Sequence, residues 1–93
     1  MTKAEIVAEI ANKTGIEKNA VQSSIEVFME TVKTSLQKGE NVYLRGFGSF
    51  IIKERKEKTG RNISQKTTII IPAHKIPAFK PAKSFVAEIK ENV

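Results

Sequence analysis

Residues 53–83 have the sequence KERKEKTGRNISQKTTIIIPAHKIPAFKPAK. The first part of this stretch is highly charged, whereas residues 67–71 are all β-branched, so the pattern predicts two extended segments joined by a reversal at Gly60-Arg61-Asn62. Two strands without a core are only marginally stable in water. We therefore expect residues 53–72 to form an arm that lies against a negatively charged ligand.

The charge of the chain is concentrated in its second half. Residues 1–44 contain five lysines and six glutamates, a net charge of −1, whereas residues 45–93 contain eleven lysines and arginines and four glutamates, a net charge of +7. A potential concentrated in this way attracts polyanions, so nucleic acid is the first partner it predicts and an anionic membrane surface the second. A solvated basic surface with no ligand is the alternative.

Length and composition restrict the fold and the chemistry. A chain of 93 residues fits one domain, and so small a domain buries only about 60 to 65% of the surface that its unfolded chain exposes. With no cysteine, neither a disulfide nor a thiolate metal site can add stability, so we expect oligomerisation to supply the missing burial. No apolar run approaches the roughly 20 residues that span a bilayer, and the N-terminus lacks a secretory hydrophobic stretch, which predicts a soluble intracellular protein.

Catalytic residue types are scarce. The chain has no aspartate, no tryptophan and a single histidine, His74, whose neighbours Ala73 and Lys75 are not metal ligands. The Gly46-Phe47-Gly48 segment lacks the spacing of a phosphate-binding or dinucleotide-binding loop. We therefore expect no enzyme activity, no metal, no cofactor and no small-molecule substrate.

Two helices are predicted in the first half. Thr2 and Glu5 have the spacing of a capping box, so a short helix should begin there and end by Gly15. A longer helix should end at Gly39. Its apolar residues recur with the period of one helical face: Val21, Ile25, Phe28, Met29, Val32 and Leu36.

The period changes after residue 41. Residues 42–44 and 49–53 are predicted to form a hairpin around a tight turn, in which Gly46 and Gly48 indicate positive φ angles or close backbone approach. Pro81 suits the first turn of a closing helix. The predicted fold is therefore α+β. Four aromatic residues need a shared core: Phe47, Phe50, Phe79 and Phe85. A two-fold dimer would bury them together with the apolar stripe of the second helix.

Three short motifs occur in order and at consistent spacing: residues 45–50 (RGFGSF), 59–62 (TGRN) and 76–81 (IPAFKP). Together they resemble the bacterial histone-like HU and integration host factor family of DNA-bending proteins, over essentially the entire chain. The resemblance implies one HU-like domain in which residues 1–52 and 73–93 form an intertwined dimer body and residues 53–72 form an arm that enters the minor groove. It also implies an architectural role in the cytoplasm, at the bacterial nucleoid.

One position departs from the family pattern. The family usually has proline directly after the Gly-Arg-Asn string, where it wedges between base pairs, and here Ile63 follows Asn62. Isoleucine is among the apolar side chains that can intercalate, but it retains an amide hydrogen and a wider φ range than proline. Two interpretations of Ile63 stay open: an intercalating wedge, or a side chain that packs on its own hairpin.

The DNA-binding residues follow partly from the pattern and partly from the resemblance. Arg61 and Asn62 suit the acceptors and negative potential of the minor groove. Lys53 and Arg55 share one face of their strand and suit phosphates, whereas alternation places Lys56 on the opposite face. The remaining residues rest mainly on the resemblance, and the complete predicted set is Lys3, Arg45, Lys53, Arg55, Lys58, Arg61, Asn62, Ile63, Lys66, Lys75, Lys80 and Lys83.

The predicted partner is double-stranded DNA, with preference for bent, nicked or gapped duplexes, because deforming these costs less. A homodimer is expected, and a heterodimer with a paralogue is the alternative. Three other functions stay open: a sequence-preferring subunit of the integration host factor type, an RNA-binding protein, and a dimer without a nucleic-acid ligand. A membrane partner is not expected, because the second helix carries Glu26 and Glu30 and few cations.

Overall fold

The fold was analysed in a computed structural model, which describes residues 1–62 and 67–91. The described elements form an α+β arrangement, as predicted, and the chain divides into two compact units at Ser35 and Leu36. In chain order the elements are α1 (Lys3–Thr14), α2 (Lys18–Gln37), β1 (Val42–Leu44), β2 (Gly48–Arg55), β3 (Lys58–Asn62), β4 (Thr67–Ile71), β5 (His74–Pro81) and α3 (Lys83–Glu91).

The boundaries of α1 are set by its capping residues. The Thr2 hydroxyl accepts a hydrogen bond from the Glu5 amide at 3.3 Å, which satisfies one of the free N–H groups of the first turn. At the other end, Gly15 adopts a left-handed conformation with φ 75°, and its amide donates to the Ala11 carbonyl at 2.9 Å. Both predicted ends of this helix are confirmed.

The predicted apolar stripe of α2 is only partly covered. Val21 and Val32 are buried, as is Val7 of α1, and these three form the buried hydrophobic set among the described residues. Phe28 and Met29, on the same stripe, remain 44% and 42% exposed. A single chain therefore leaves large apolar side chains of this helix in contact with solvent.

The second unit is built on a three-stranded antiparallel sheet with the order β1-β2-β5. The turn between β1 and β2 requires its glycines for two different reasons. Gly46 has φ 81°, a left-handed conformation that favours glycine. Gly48 lies so close to β5 that an added Cβ would stand 2.5 Å from the Phe79 ring and 2.6 Å from the Lys80 carbonyl oxygen.

Aromatic rings pack on this sheet. Phe79 lies 5.0 Å from Phe47 and 5.1 Å from Phe50 between ring centroids, and Phe47 lies 5.6 Å from Phe85 of α3. Such distances are typical of favourable aromatic pairs. The four phenylalanines therefore share one cluster, as expected, although Phe47 and Phe79 are still 47% and 39% exposed.

The C-terminal part of the sheet differs from the sequence prediction. Pro81 was expected in the first turn of the closing helix, but this was wrong: it is the last residue of β5, and α3 begins at Lys83. Pro77 also lies inside β5, opposite Ile52. Proline is tolerated here because β5 is an edge strand, so a missing N–H on its outer side breaks no ladder.

The extended segment beyond the body forms a second sheet. β3 pairs with β4 in an antiparallel two-stranded sheet, which we call the ribbon. The three-stranded sheet continues to Arg55 and His74, and residues 56–57 and 72–73 separate the two ladders. The larger sheet thus includes the first three residues of the segment that the sequence assigned to the arm. Ile63 and Lys66 lie outside the described residues.

Candidate nucleic-acid interface

The three-stranded sheet has two chemically different faces. On one face Phe50 and Ile52 lie opposite Phe79 and Pro77. Because strand side chains alternate, the residues between them belong to the other face. That second face, which we call the cationic face, carries Lys53, Arg55, His74 and Lys80. Arg55 lies opposite His74, Lys80 opposite Ser49 and Lys53 opposite Ile76, and the pair Ile51–Ala78 lies between the charged residues. Tyr43 of β1 lies beside Ser49.

An open groove of about 650 Å³ borders this face and brings together three predicted DNA-binding residues. Arg45 comes from the turn after β1, Lys80 from β5 and Lys83 from the first turn of α3. The Ala82 amide donates to the Phe47 carbonyl at 2.9 Å, which ties the start of α3 to that turn. We call this the basic groove, and the arrangement presents three cations to one anionic ligand.

A second group of charges lies where β2 and β5 end, and we call it the junction. Glu54, Arg55, Lys56, Ala73, His74 and Lys75 line a cavity of about 230 Å³ there. Lys56 was expected on the face opposite Arg55, but it lies beyond the end of β2, so strand alternation does not apply to it. Sequence reasoning did not include Lys56 and His74 among the interface candidates, because only the pairing of β2 with β5 brings His74 beside Arg55 and Lys56.

Lys75 does not share a face with Lys80. The two residues are five positions apart on β5, so alternation puts them on opposite faces, and the direct cross-strand neighbour of Lys75 is Glu54. The resemblance implied that Lys75, Lys80 and Lys83 all lie on the body surface beneath the duplex. The structure instead places Lys80 and Lys83 at the basic groove and Lys75 at the junction.

Lys3 is engaged within the helical unit. Its Nζ lies 3.0 Å from Oε1 of Glu26 on α2, and Gln22 donates to the same oxygen at 3.3 Å. The hydrogen bond from Lys3, then that from Gln22 and the charge of Lys3, lower the pKa of Glu26 below its ordinary value of 4.5. A phosphate that binds Lys3 therefore competes with a carboxylate.

The ribbon carries the remaining predicted residues. Lys58 pairs with Ile71 in the ladder, Arg61 with Thr68 and Asn62 with Thr67. Ile70 and Ile71 are 63% and 43% exposed, which is unusual for two consecutive β-branched residues of a strand. The ribbon thus offers apolar surface beside its charged residues.

Over residues 1–62 and 67–91, no helix has the length and apolar character needed to cross a membrane. Within the same ranges, no group of three or more histidine, cysteine, aspartate or glutamate side chains is placed to hold a metal ion.

The sequence and fold of this chain were compared with those of known proteins. The profile of the family described as "Bacterial DNA-binding protein" matches residues 1–90. This chain belongs to that family. The sequence-based resemblance to HU and integration host factor is thereby confirmed.

Individual relatives of this family cover almost the whole chain. The SPbeta prophage-derived DNA-binding protein HU 2 of Bacillus subtilis is 41% identical over 90 residues, which are 97% of this chain and 98% of that protein. The integration host factor subunit alpha of Aliivibrio salmonicida is 35% identical over 91 residues, 98% of this chain and 93% of the relative. HU in the Anabaena HU–DNA cocrystal structure is 35% identical, with a TM-score of 0.89, 96% of this chain covered and 97% of the other.

Proposed function

We propose that this family member is an architectural protein that binds double-stranded DNA with little sequence specificity and bends it. The observation that carries the proposal is the convergence of Arg45, Lys80 and Lys83 on the basic groove, beside a sheet face that also presents Lys53 and Arg55. The solved relative in complex with DNA has the same fold, which supports this choice of ligand.

Phosphate neutralisation supplies most of the binding free energy in this mechanism. Lys53 and Arg55 are two residues apart on one strand face, a separation of about 6.8 Å, so each contacts a different phosphate. Each neutralised phosphate releases condensed counterions, which favours binding without reading the bases. DNA deformability then supplies whatever sequence preference exists.

The ribbon is the proposed minor-groove arm. Arg61 and Asn62 are the proposed groove contacts, Lys58 and Lys66 the flanking phosphate contacts, and Ile63 the wedge that unstacks a base step. Residues 53–72 act as the arm, and the rest of the chain forms the body. Within the body, Lys3 binds phosphate by leaving the carboxylate of Glu26, and Lys75 is a further phosphate contact.

The body functions as a homodimer in this proposal. One chain of 10.4 kDa exposes 8057 Å², compared with about 5,400 Å² for an average folded monomer of that mass. Phe28, Met29, Phe47 and Phe79 all remain substantially exposed, and a second copy would cover them. A heterodimer with a paralogue is the second candidate, since a similar protein is named as a subunit.

The protein is not an enzyme in this proposal and acts at the nucleoid in the bacterial cytoplasm, without a small-molecule substrate or a membrane partner. A sequence-preferring role of the integration host factor type is the second candidate function. One observation favours it: Arg45 lies in the basic groove, where it can reach a groove edge of bound DNA.

A salt titration tests the main proposal. Duplex binding, measured by fluorescence anisotropy between about 50 and 200 mM salt, should give a log–log slope of roughly −5 to −9 for the dimer, at about 0.9 for each neutralised phosphate. A slope near −1 would contradict phosphate-dominated binding.

Competition experiments separate the alternatives. At fixed salt, nicked or gapped duplex should displace intact duplex, because a flexible site costs less energy to bend. If structured RNA competed better than any duplex, the RNA-binding alternative would replace this proposal.

A further inference from the structure

His74 is the only histidine of the chain. It is the first residue of β5 and pairs directly with Arg55 in the ladder, so it lies on the cationic face. Its side chain is exposed and lines the junction with Arg55, Lys56 and Lys75. A histidine therefore stands among the groups that would contact phosphate.

A hydrogen bond fixes the tautomer of this imidazole. Nδ1 of His74 lies 3.0 Å from the carbonyl oxygen of Pro72. Because a carbonyl oxygen can only accept, Nδ1 carries the hydrogen and donates it. In the neutral ring Nε2 is then an acceptor, and it becomes a donor only when the imidazole is protonated.

We propose that His74 is a phosphate contact that binds DNA only as the imidazolium, so that DNA binding takes up one proton at this residue. A neutral His74 would turn the lone pair of Nε2 towards phosphate oxygens, which are also acceptors, and the contact would be repulsive. Protonation converts it into a charge-assisted donor. This inference rests on the proposed DNA-binding function.

A phosphate bound at the junction would favour the protonated form of His74. Arg55, the last residue of β2, lies directly across the ladder from His74, and Lys56 follows it in the chain. Lys75 and the carboxylate of Glu54 also line the junction, but alternation puts them on the opposite face of the sheet. A phosphate placed beside Arg55 adds negative charge next to the imidazole, so protonation and DNA binding stabilise each other.

The test compares duplex affinity at pH 5.5 and pH 8.0, at constant ionic strength, for the intact chain and two variants. Histidine is the side chain that changes charge between about pH 5 and 8. The parent should bind about three to ten times more tightly at pH 5.5, as expected for one added charge-assisted hydrogen bond. His74→Gln should lose this pH dependence, and His74→Lys should bind tightly at both pH values.

The slope of log affinity against log salt is a second measurement. It would not change with pH if His74 had only a structural role. The parent slope should be steeper at pH 5.5 than at pH 8.0 by about 0.9 for each imidazolium that contacts a phosphate, and the His74→Gln slope should be the same at both. Circular dichroism at both pH values confirms that the variants are folded. If His74→Gln kept the parent's pH dependence, the inference would be overturned; if the parent bound no duplex at either pH, the proposed function itself would fail.

Discussion

The three-stranded sheet and the ribbon are both antiparallel, yet their faces are covered very differently. The sheet has one face on which Phe50 and Phe79 belong to an aromatic cluster. In the ribbon, Ile70 and Ile71 are consecutive residues of one strand, so alternation puts their side chains on opposite faces. Both side chains are exposed to solvent. The sheet is therefore stabilised by its own packing, whereas the described isoleucines of the ribbon gain little by folding.

This difference indicates what the ribbon is for. Exposed β-branched residues on a two-stranded ribbon are an aggregation hazard unless something covers them. A DNA minor groove offers apolar sugar surface between two rows of phosphates, and it would cover both the isoleucines and the neighbouring Lys58. The three-stranded sheet thus contributes the packing that stabilises the fold, and the ribbon contributes exposed apolar and charged surface for binding DNA.

Stability measurements should show the largest contrast between the two sheets. Phe79→Ala removes a ring that contacts both Phe47 and Phe50, and it should lower the free energy of unfolding by about 2 to 4 kcal/mol. Ile70→Ala, in the exposed ribbon, should cost less than about 0.5 kcal/mol. Urea unfolding followed by circular dichroism at one protein concentration measures both. Equal losses would mean that the ribbon is packed as tightly as the sheet.

The next largest effect should be on the DNA affinity of variants in the basic groove of the body. Arg45→Gln combined with Lys80→Gln removes two cations from the basic groove, and duplex binding should weaken by roughly tenfold or more. The salt slope should shrink by about 0.9 for each lost contact. Lys18→Gln combined with Lys33→Gln also removes two cations per chain and is the control for net charge, because both residues lie on α2. A comparable loss in the control would show that net charge alone, and not the groove, determines affinity.

Substitutions at the ribbon tip should change DNA shape more than affinity. Ile63→Ala removes the proposed wedge, so the bend angle of the bound duplex should fall while affinity drops only severalfold, whereas Ile63→Pro should restore or increase the bend. Energy transfer between dyes at the two duplex ends measures the angle. Thr59→Ala, on the same ribbon, is the control. A bend that persists in Ile63→Ala would assign Ile63 to packing on its own hairpin.

Local features of this fold were predictable from the sequence, and non-local ones were not. The Thr2 cap, the Gly15 terminus and the turn at Gly46 each depend on a few neighbouring residues, so the pattern was sufficient to predict them. β5 was missed because Pro77 and Pro81 argue against a strand unless the strand is known to be at an edge.

The same limit applies to the interface. Arg45 and Lys80 were identified by resemblance, but only the fold shows that they share a groove, since they come from different elements. The pairing of Lys3 with Glu26 joins residues 23 positions apart, and no sequence periodicity reveals it. Counting alternate residues could not assign Lys56 to a face, because β2 ends at Arg55.

The smallest predicted effect concerns the boundary between the two sheets, where Glu54 faces Lys75. Opposite charges directly across a ladder attract each other, and the carboxylate of Glu54 also repels a phosphate that approaches Lys75. Glu54→Gln keeps the shape and removes the charge, and it should tighten duplex binding about two- to threefold, with a slightly steeper salt slope. Glu17→Gln makes the same charge change just before α2 and is the matched control. An equal gain in both variants would attribute the effect to net charge; a gain confined to Glu54→Gln would show that DNA reaches past the body sheet to the base of the ribbon.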